Sequence, residues 1–203
     1  MRRPNGVETH MAHRERLITA VAEDGLELDG VIIQPSTDKQ QSLLVWIHGF
    51  GANFYFGPYL RVARAMAALG VASAVVNTRG HDLATLLQPR AGTPYWGGAA
   101  WEKLDESPLD IAGWVATATE TGFSKVVLVG HSLGAVKATY YLAERQDERV
   151  VGLALAAPPL RPAWDSRDIP ATAATFTPGS GIRARVTPVL GSRISRTVDP
   201  GSK

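Results

Sequence analysis

The residue best placed to do covalent chemistry in this chain is Ser132, in Gly130-His131-Ser132-Leu133-Gly134 directly after the apolar run Val126-Val127-Leu128-Val129. A serine hydroxyl is a weak nucleophile near neutral pH. It transfers acyl groups when a base takes its proton and donors hold the oxyanion that forms. The pentapeptide supplies the geometry: Gly130 and Gly134 let a strand turn sharply into a helix without a Cβ clash, leaving the serine strained and exposed between them. Its Oγ then lies at a helix N-terminus, where unpaired N–H groups and the helix dipole favour negative charge. The run before it suits a strand buried on both faces. Residues 133–145 read as a helix with Val136, Tyr140 and Ala143 on one stripe. The motif therefore has the strand before and the helix after that a nucleophile elbow requires.

The elements that must carry this serine follow from the same periodicities. Residues 17–22 and 26–33 flank Glu23-Asp24-Gly25 as a β-hairpin, with glycine where positive φ is needed. Leu43-Leu44-Val45-Trp46-Ile47 reads as a buried strand, His48-Gly49-Phe50-Gly51 as a loop, and residues 58–69 as a helix stopped by Gly70. Residues 71–77 form the next strand. Ser107-Pro108-Leu109-Asp110 starts a helix running to about residue 119, with Ser107 as the capping hydroxyl and Asp110 as a first-turn acid rather than a catalytic one. Residues 150–156 make a further buried strand, about six in all. The order ββ followed by repeated βα argues for a doubly wound, mostly parallel α/β sheet with right-handed crossovers. His48, Ser132 and residues 77–82 fall at the carboxyl ends of strands, where such sheets bind ligands.

Composition narrows the classes of function. The chain has 203 residues, 45% of them hydrophobic, enough for one domain with a full core. Its net charge is only +2. Residues 1–160 carry 14 Lys/Arg against 16 Asp/Glu, and residues 161–203 carry 7 against 3, so the excess sits in the tail and argues for no nucleic-acid partner. Without cysteine there is neither a disulfide framework nor a thiolate metal site. No H-E-x-x-H spacing suggests a metal, no Gly-rich fingerprint a nucleotide, and no cofactor is expected. The N-terminus lacks the apolar core of a signal peptide and no stretch is long enough to span a membrane, which makes the expected location cytoplasmic.

Taken together, the elbow at Gly130-His131-Ser132-Leu133-Gly134, the loop His48-Gly49-Phe50-Gly51 and the segment Asn77-Thr78-Arg79-Gly80-His81-Asp82 resemble the α/β-hydrolase superfamily over roughly residues 17–159. With Gly97-Gly98-Ala99-Ala100-Trp101-Glu102, the segment looks most like the serine esterase and serine aminopeptidase-like branch. The resemblance implies Ser132 as nucleophile, an oxyanion hole from the backbone N–H groups of Phe50 and Leu133, and a small-molecule acyl substrate such as a carboxylic ester. It assigns His48 to bracing the oxyanion loop. His131 is the variable position of the elbow, and His81 would serve as a substitute base only within hydrogen-bond reach of Ser132.

The sequence departs from that pattern after the elbow. The family order is serine, acid, histidine; Asp165, Asp168 and Asp199 are available as acids, but residues 133–203 contain no histidine. Of the 38 residues from 166 to 203, 23 are Thr, Ser, Pro, Gly or Arg, and apart from residues 186–190 no apolar period persists. The reading is an α/β-hydrolase core over residues 1–165 that lacks its last strands, then a disordered or non-native tail over residues 166–203. A coding frame lost near residues 165–170 would explain both. Activity in this chain is then expected to be impaired. The alternative is a non-catalytic protein of this fold that binds a small apolar ligand or a partner, its pocket lined by Phe50, Phe54, Tyr55, Phe56, Tyr95, Trp96 and Trp101.

Overall fold

The computed structural model describes residues 13–36 and 41–159. Strands β1 (His13–Val21) and β2 (Leu26–Pro35) form the expected antiparallel hairpin, with Gly25 at φ +87° in its turn. β3 (Ser42–Ile47), α1 (Gly57–Ala68) and β4 (Ala72–Val76) make the first parallel crossover. After a short hairpin of β5 (Thr85–Pro89) and β6 (Tyr95–Gly97) come α2 (Ser107–Glu120), β7 (Lys125–His131), α3 (Leu133–Glu144) and β8 (Val150–Ala156).

The sheet runs β6-β5-β2-β4-β3-β7-β8, with β1 on β2. The pairs β4–β3, β3–β7 and β7–β8 are parallel, and β2 joins β4 antiparallel. The doubly wound, mostly parallel architecture is as expected. The strand count is eight rather than about six. The two extra strands are five and three residues long, too short to show a period, and they pair only at the hairpin end of β2 and with each other.

Side chains sort onto the two faces by the strand period of two. Val31, Ile33 and Val75 pack under α1 with Tyr59, Ala63 and Ala67. Their neighbours Ile32, Ala74 and Val76 join Val45, Ile47 and Leu128 on the other face, beneath Ile111, Trp114 and Val115 of α2 and Ala138 and Tyr141 of α3. Trp114 satisfies its buried indole N–H on the carbonyl of Asn77, 2.7 Å away, pinning the end of β4.

Two local expectations are corrected. Ser107 is the first residue of α2, not its cap. A 3-10 turn at Leu104–Glu106 leads into the helix, and the Ser107 hydroxyl donates back to the Leu104 carbonyl at 2.6 Å. In α3 the buried residues are Gly134, Ala135, Lys137, Ala138, Tyr140 and Tyr141, so Tyr140 faces inward as expected, whereas Val136 is only half-buried and Ala143 is exposed. The centre of the buried stripe is therefore rotated toward Lys137 and Ala138.

Candidate active site

Ser132 joins β7 to α3 at φ 52° and ψ −122°, backbone angles that cost a non-glycine residue about 1–3 kcal/mol. The strain is held by packing. A Cβ on Gly130 would lie 2.5 Å from Ala135 Cα, and one on Gly134 would run into the carbonyl oxygens of Ile47 and His48. The two elbow glycines therefore serve close approach, while the serine itself takes the left-handed backbone. Its N–H donates to the Ala156 carbonyl at 3.0 Å and its C=O accepts from Ala135 N–H at 2.9 Å, so β8 and the first turn of α3 clamp the turn from both sides. Among the described residues, no side chain hydrogen-bonds its Oγ.

The loop after β3 packs directly on this turn: a Cβ on Gly49 would stand 3.0 Å from Ser132 Cβ. Both polar groups of Gly49 are held. Its N–H donates to Tyr59 Oη at 3.3 Å, and Tyr59 Oη lies 2.8 Å from His131 Nδ1, which ties the loop to the elbow's variable residue. Its C=O lies 2.7 Å from His48 Nδ1 and also accepts from Ala52 N–H at 3.3 Å. Among the described residues the N–H groups of Phe50 and Leu133 have no hydrogen-bond partner.

His48 is buried, and its ring chemistry follows from its neighbours. The Thr78 N–H donates to Nε2 at 3.0 Å, so Nε2 carries no proton and Nδ1–H is the donor to Gly49 O. Burial first, and then the nearby Lys137 ammonium, lower its pKa from 6.5 to about 3. The sign of the stability effect follows. Below about pH 6.5 the unfolded chain binds a proton on this ring that the folded chain refuses until about pH 3, so stability falls as pH drops through that window. The slope is up to about 1.4 kcal/mol per pH unit. Urea unfolding at several pH values between 4 and 6.5 should show a steeper acid loss for the wild type than for His48→Gln, and equal slopes would contradict the assignment.

The sheet order places the other expected residues. β4 and β7 flank β3 on opposite sides, so their carboxyl ends stand about two strand spacings, roughly 10 Å, apart. The β4 loop carrying His81 thus lies across β3 from Ser132. His81 Nδ1 sits 2.8 Å from Asp82 Oδ2, and Asp82 Oδ1 accepts from Asn53 Nδ2 at 2.6 Å, stapling the two loops together. Asp110 starts α2 as expected but is fully buried, accepting from Arg79 N–H at 2.8 Å, Nε at 3.0 Å and Nη2 at 2.8 Å. Burial raises its pKa, opposed by the Arg79 guanidinium. Of the seven aromatics, only Phe54 packs into a core cluster; Phe50, Tyr55, Phe56, Tyr95, Trp96 and Trp101 are exposed.

The surprise is Lys137, buried in α3. Its Nζ pairs with the Glu102 carboxylate and donates to Thr78 Oγ1 at 2.9 Å. Reading the α3 stripe from Gly134 (134, 137, 138, 141) would have put a lysine on the buried side and raised the question of its partner. No local signal points to Glu102 or Thr78. Among the described residues no group of three His, Cys, Asp or Glu is arranged to hold a metal, and no helix is long and apolar enough to cross a membrane.

Residues 38–199 match the model of the family described as serine aminopeptidase, S33, a match that runs on through the compositionally distinct C-terminal segment. In structure the chain resembles a cold-adapted esterase from an Arctic intertidal metagenomic library, with a TM-score of 0.55 and 16% identity over 76% of this chain and 65% of that one. It likewise resembles an esterase of Pyrococcus furiosus, at TM-score 0.56 and 17% identity over 73% of this chain and 54% of the other. A ferulic-acid-bound protein from Butyrivibrio proteoclasticus gives 0.53 and 19%, over 67% and 51%. At such identities the likeness is one of fold. The chain spans between about half and two thirds of these structures' length. Curated protein sequences contain no match.

Proposed function

Because the chain belongs to the serine aminopeptidase, S33, family of α/β hydrolases, we propose that it is built for serine hydrolysis of a carboxylic ester or similar acyl bond, with Ser132 as nucleophile. The observation that carries this reading is the strained Ser132 at φ 52°, packed against Gly49, with the backbone N–H groups of the residues next in chain to each, Leu133 and Phe50, without protein partners among the described residues. Ser132 Oγ attacks the acyl carbonyl, its proton passing to solvent water as the C–O bond forms. The carbonyl oxygen becomes an oxyanion between the two N–H groups, and its collapse breaks the bond to the alcohol, which leaves with a proton taken from solvent. Water then attacks the acyl-serine and releases the acid. The exposed aromatic side chains of Phe50, Tyr55 and Phe56 on the oxyanion loop suit a small apolar acyl or alcohol group.

Turnover in this chain is expected to be slow. None of the four described histidines hydrogen-bonds Ser132 Oγ: His13 pairs with Glu15, His48 has both ring nitrogens engaged by Gly49 and Thr78, His81 pairs with Asp82, and His131 with Tyr59. The sequence supplies no histidine after Ser132. Loss of a triad member removes several powers of ten in rate and leaves the part owed to binding and the oxyanion hole. The test is p-nitrophenyl acetate turnover together with covalent labelling by a fluorophosphonate. The wild type should label at one site, and Ser132→Ala should label nowhere and hydrolyse at the buffer rate. Equal rates and no labelling in either would remove Ser132 from catalysis and favour the non-catalytic, ligand-binding reading.

A further inference from the structure

We propose that Lys137 and Thr78 are positioning residues for the oxyanion hole: Lys137, held by Glu102, turns the Thr78 hydroxyl onto His48, and His48 in turn fixes the peptide that carries the Phe50 N–H. The proposal rests on the reading of Phe50 N–H as an oxyanion donor. An ammonium has three donors and no acceptor. With Lys137 Nζ 2.9 Å from Thr78 Oγ1, the hydroxyl oxygen accepts from it and its own single proton is left for the other neighbour, His48 Nε2 at 3.0 Å. Nε2, already an acceptor of the Thr78 N–H, then accepts from the hydroxyl as well, which reinforces the Nδ1–H form and holds the ring where Nδ1 grips Gly49 O at 2.7 Å. The C=O and N–H of one trans peptide point in opposite directions. Holding Gly49 O therefore sets the direction of Phe50 N–H.

Stability alone gives no reason for this arrangement. A buried ion pair is often no better than apolar residues of the same volume, while either charge alone would be costly. Lys137 and Glu102 are both nearly inaccessible, and the Glu102 carboxylate occupies the space a Cβ on Gly80 would need. What a lysine supplies here and a leucine would not is the direction of the Thr78 proton. The relay joins three loops and one helix: Glu102 before α2, Thr78 after β4, His48 after β3 and Lys137 in α3.

The test combines 15N NMR of the His48 ring in the full chain with ester kinetics. In the wild type the ring should be neutral between pH 5 and 8, with its proton on Nδ1. In Thr78→Val, and in the Lys137→Met/Glu102→Gln double variant, the Nε2 resonance should move toward that of a nitrogen accepting fewer hydrogen bonds. In both, kcat for p-nitrophenyl acetate should fall about tenfold with KM within about twofold, less than the loss of a whole oxyanion donor. Thr78→Ser, which keeps the hydroxyl, should restore both readouts. A wild-type ring protonated on Nε2 overturns the proposal without any variant having to fold. So does a folded Thr78→Val with unchanged Nε2 resonance and kcat. If no ester is turned over at all, the reading of Ser132 fails, and the ring spectra still decide the relay.

Discussion

Replacing Arg79 by methionine is expected to destabilise the chain by about 3–5 kcal/mol, because it leaves Asp110 as a buried carboxylate without its counter-ion. Arg79 is the hub of an ion cluster. Beyond its three hydrogen bonds to Asp110, Nη2 reaches Asp24 Oδ2 at 2.9 Å and Nη1 reaches Glu106 Oε2 at 3.2 Å. The cluster ties the β4 loop to α2 and to the turn of the first hairpin. Asp24 and Glu106 are partly exposed and can be solvated on their own, so the penalty falls on Asp110. Urea unfolding of Arg79→Met, Asp110→Leu and the double variant checks this. Each single change should lower stability by several kcal/mol and the double by much less than their sum. A loss below about 1 kcal/mol in Arg79→Met would mean that the cluster is solvated rather than buried.

Gly134→Ala is the second large effect: a loss of about 3 kcal/mol or more, toward the upper end of what overpacking costs. The added methyl would meet the carbonyl oxygens of Ile47 and His48. Those are main-chain atoms at the end of β3 and the start of the loop that follows it, and no rotamer change moves them aside. The strain would be relieved by pushing α3 away from β3, which would open the gap between Ser132 and Gly49. Thermal unfolding should report a drop in midpoint of many degrees, and fluorophosphonate labelling of any folded fraction should slow. A variant with wild-type stability would show that α3 and β3 are not in contact at this position. Gly25→Ala is the milder control: its added Cβ would meet nothing, leaving only the strain of positive φ.

Where the site could be read from sequence, the interactions were local. The elbow is legible because its requirements, a buried strand, close-packed glycines and a helix start, all fall within about twenty consecutive residues, and Ser132 does carry the backbone strain expected of it. Asp110 was legible only by half. Its position in the first turn of α2 follows from the residues beside it, but its partner Arg79 lies 31 residues earlier, and nothing in either neighbourhood announces the pair. The strands β5 and β6 escaped because they are held by pairing at the sheet edge rather than by an apolar period of their own.

The chain's own order of residues determined the doubly wound sheet, the tight strand-to-helix turn at Ser132, the loop after β3 and the absence of a histidine between Ser132 and residue 203, since each depends on short-range periodicity or on composition. Tertiary structure alone decided that His48 is neutral with its proton on Nδ1, that Lys137 is buried against Glu102, and that His81 stands across β3 from the serine. Those facts depend on which strand ends become neighbours. Placing β4, β3 and β7 side by side brings Thr78, His48 and Lys137 into one hydrogen-bonded line, whose two links span 30 and 59 residues of sequence, and that order is set by the packing of two core layers rather than by any local run of residues.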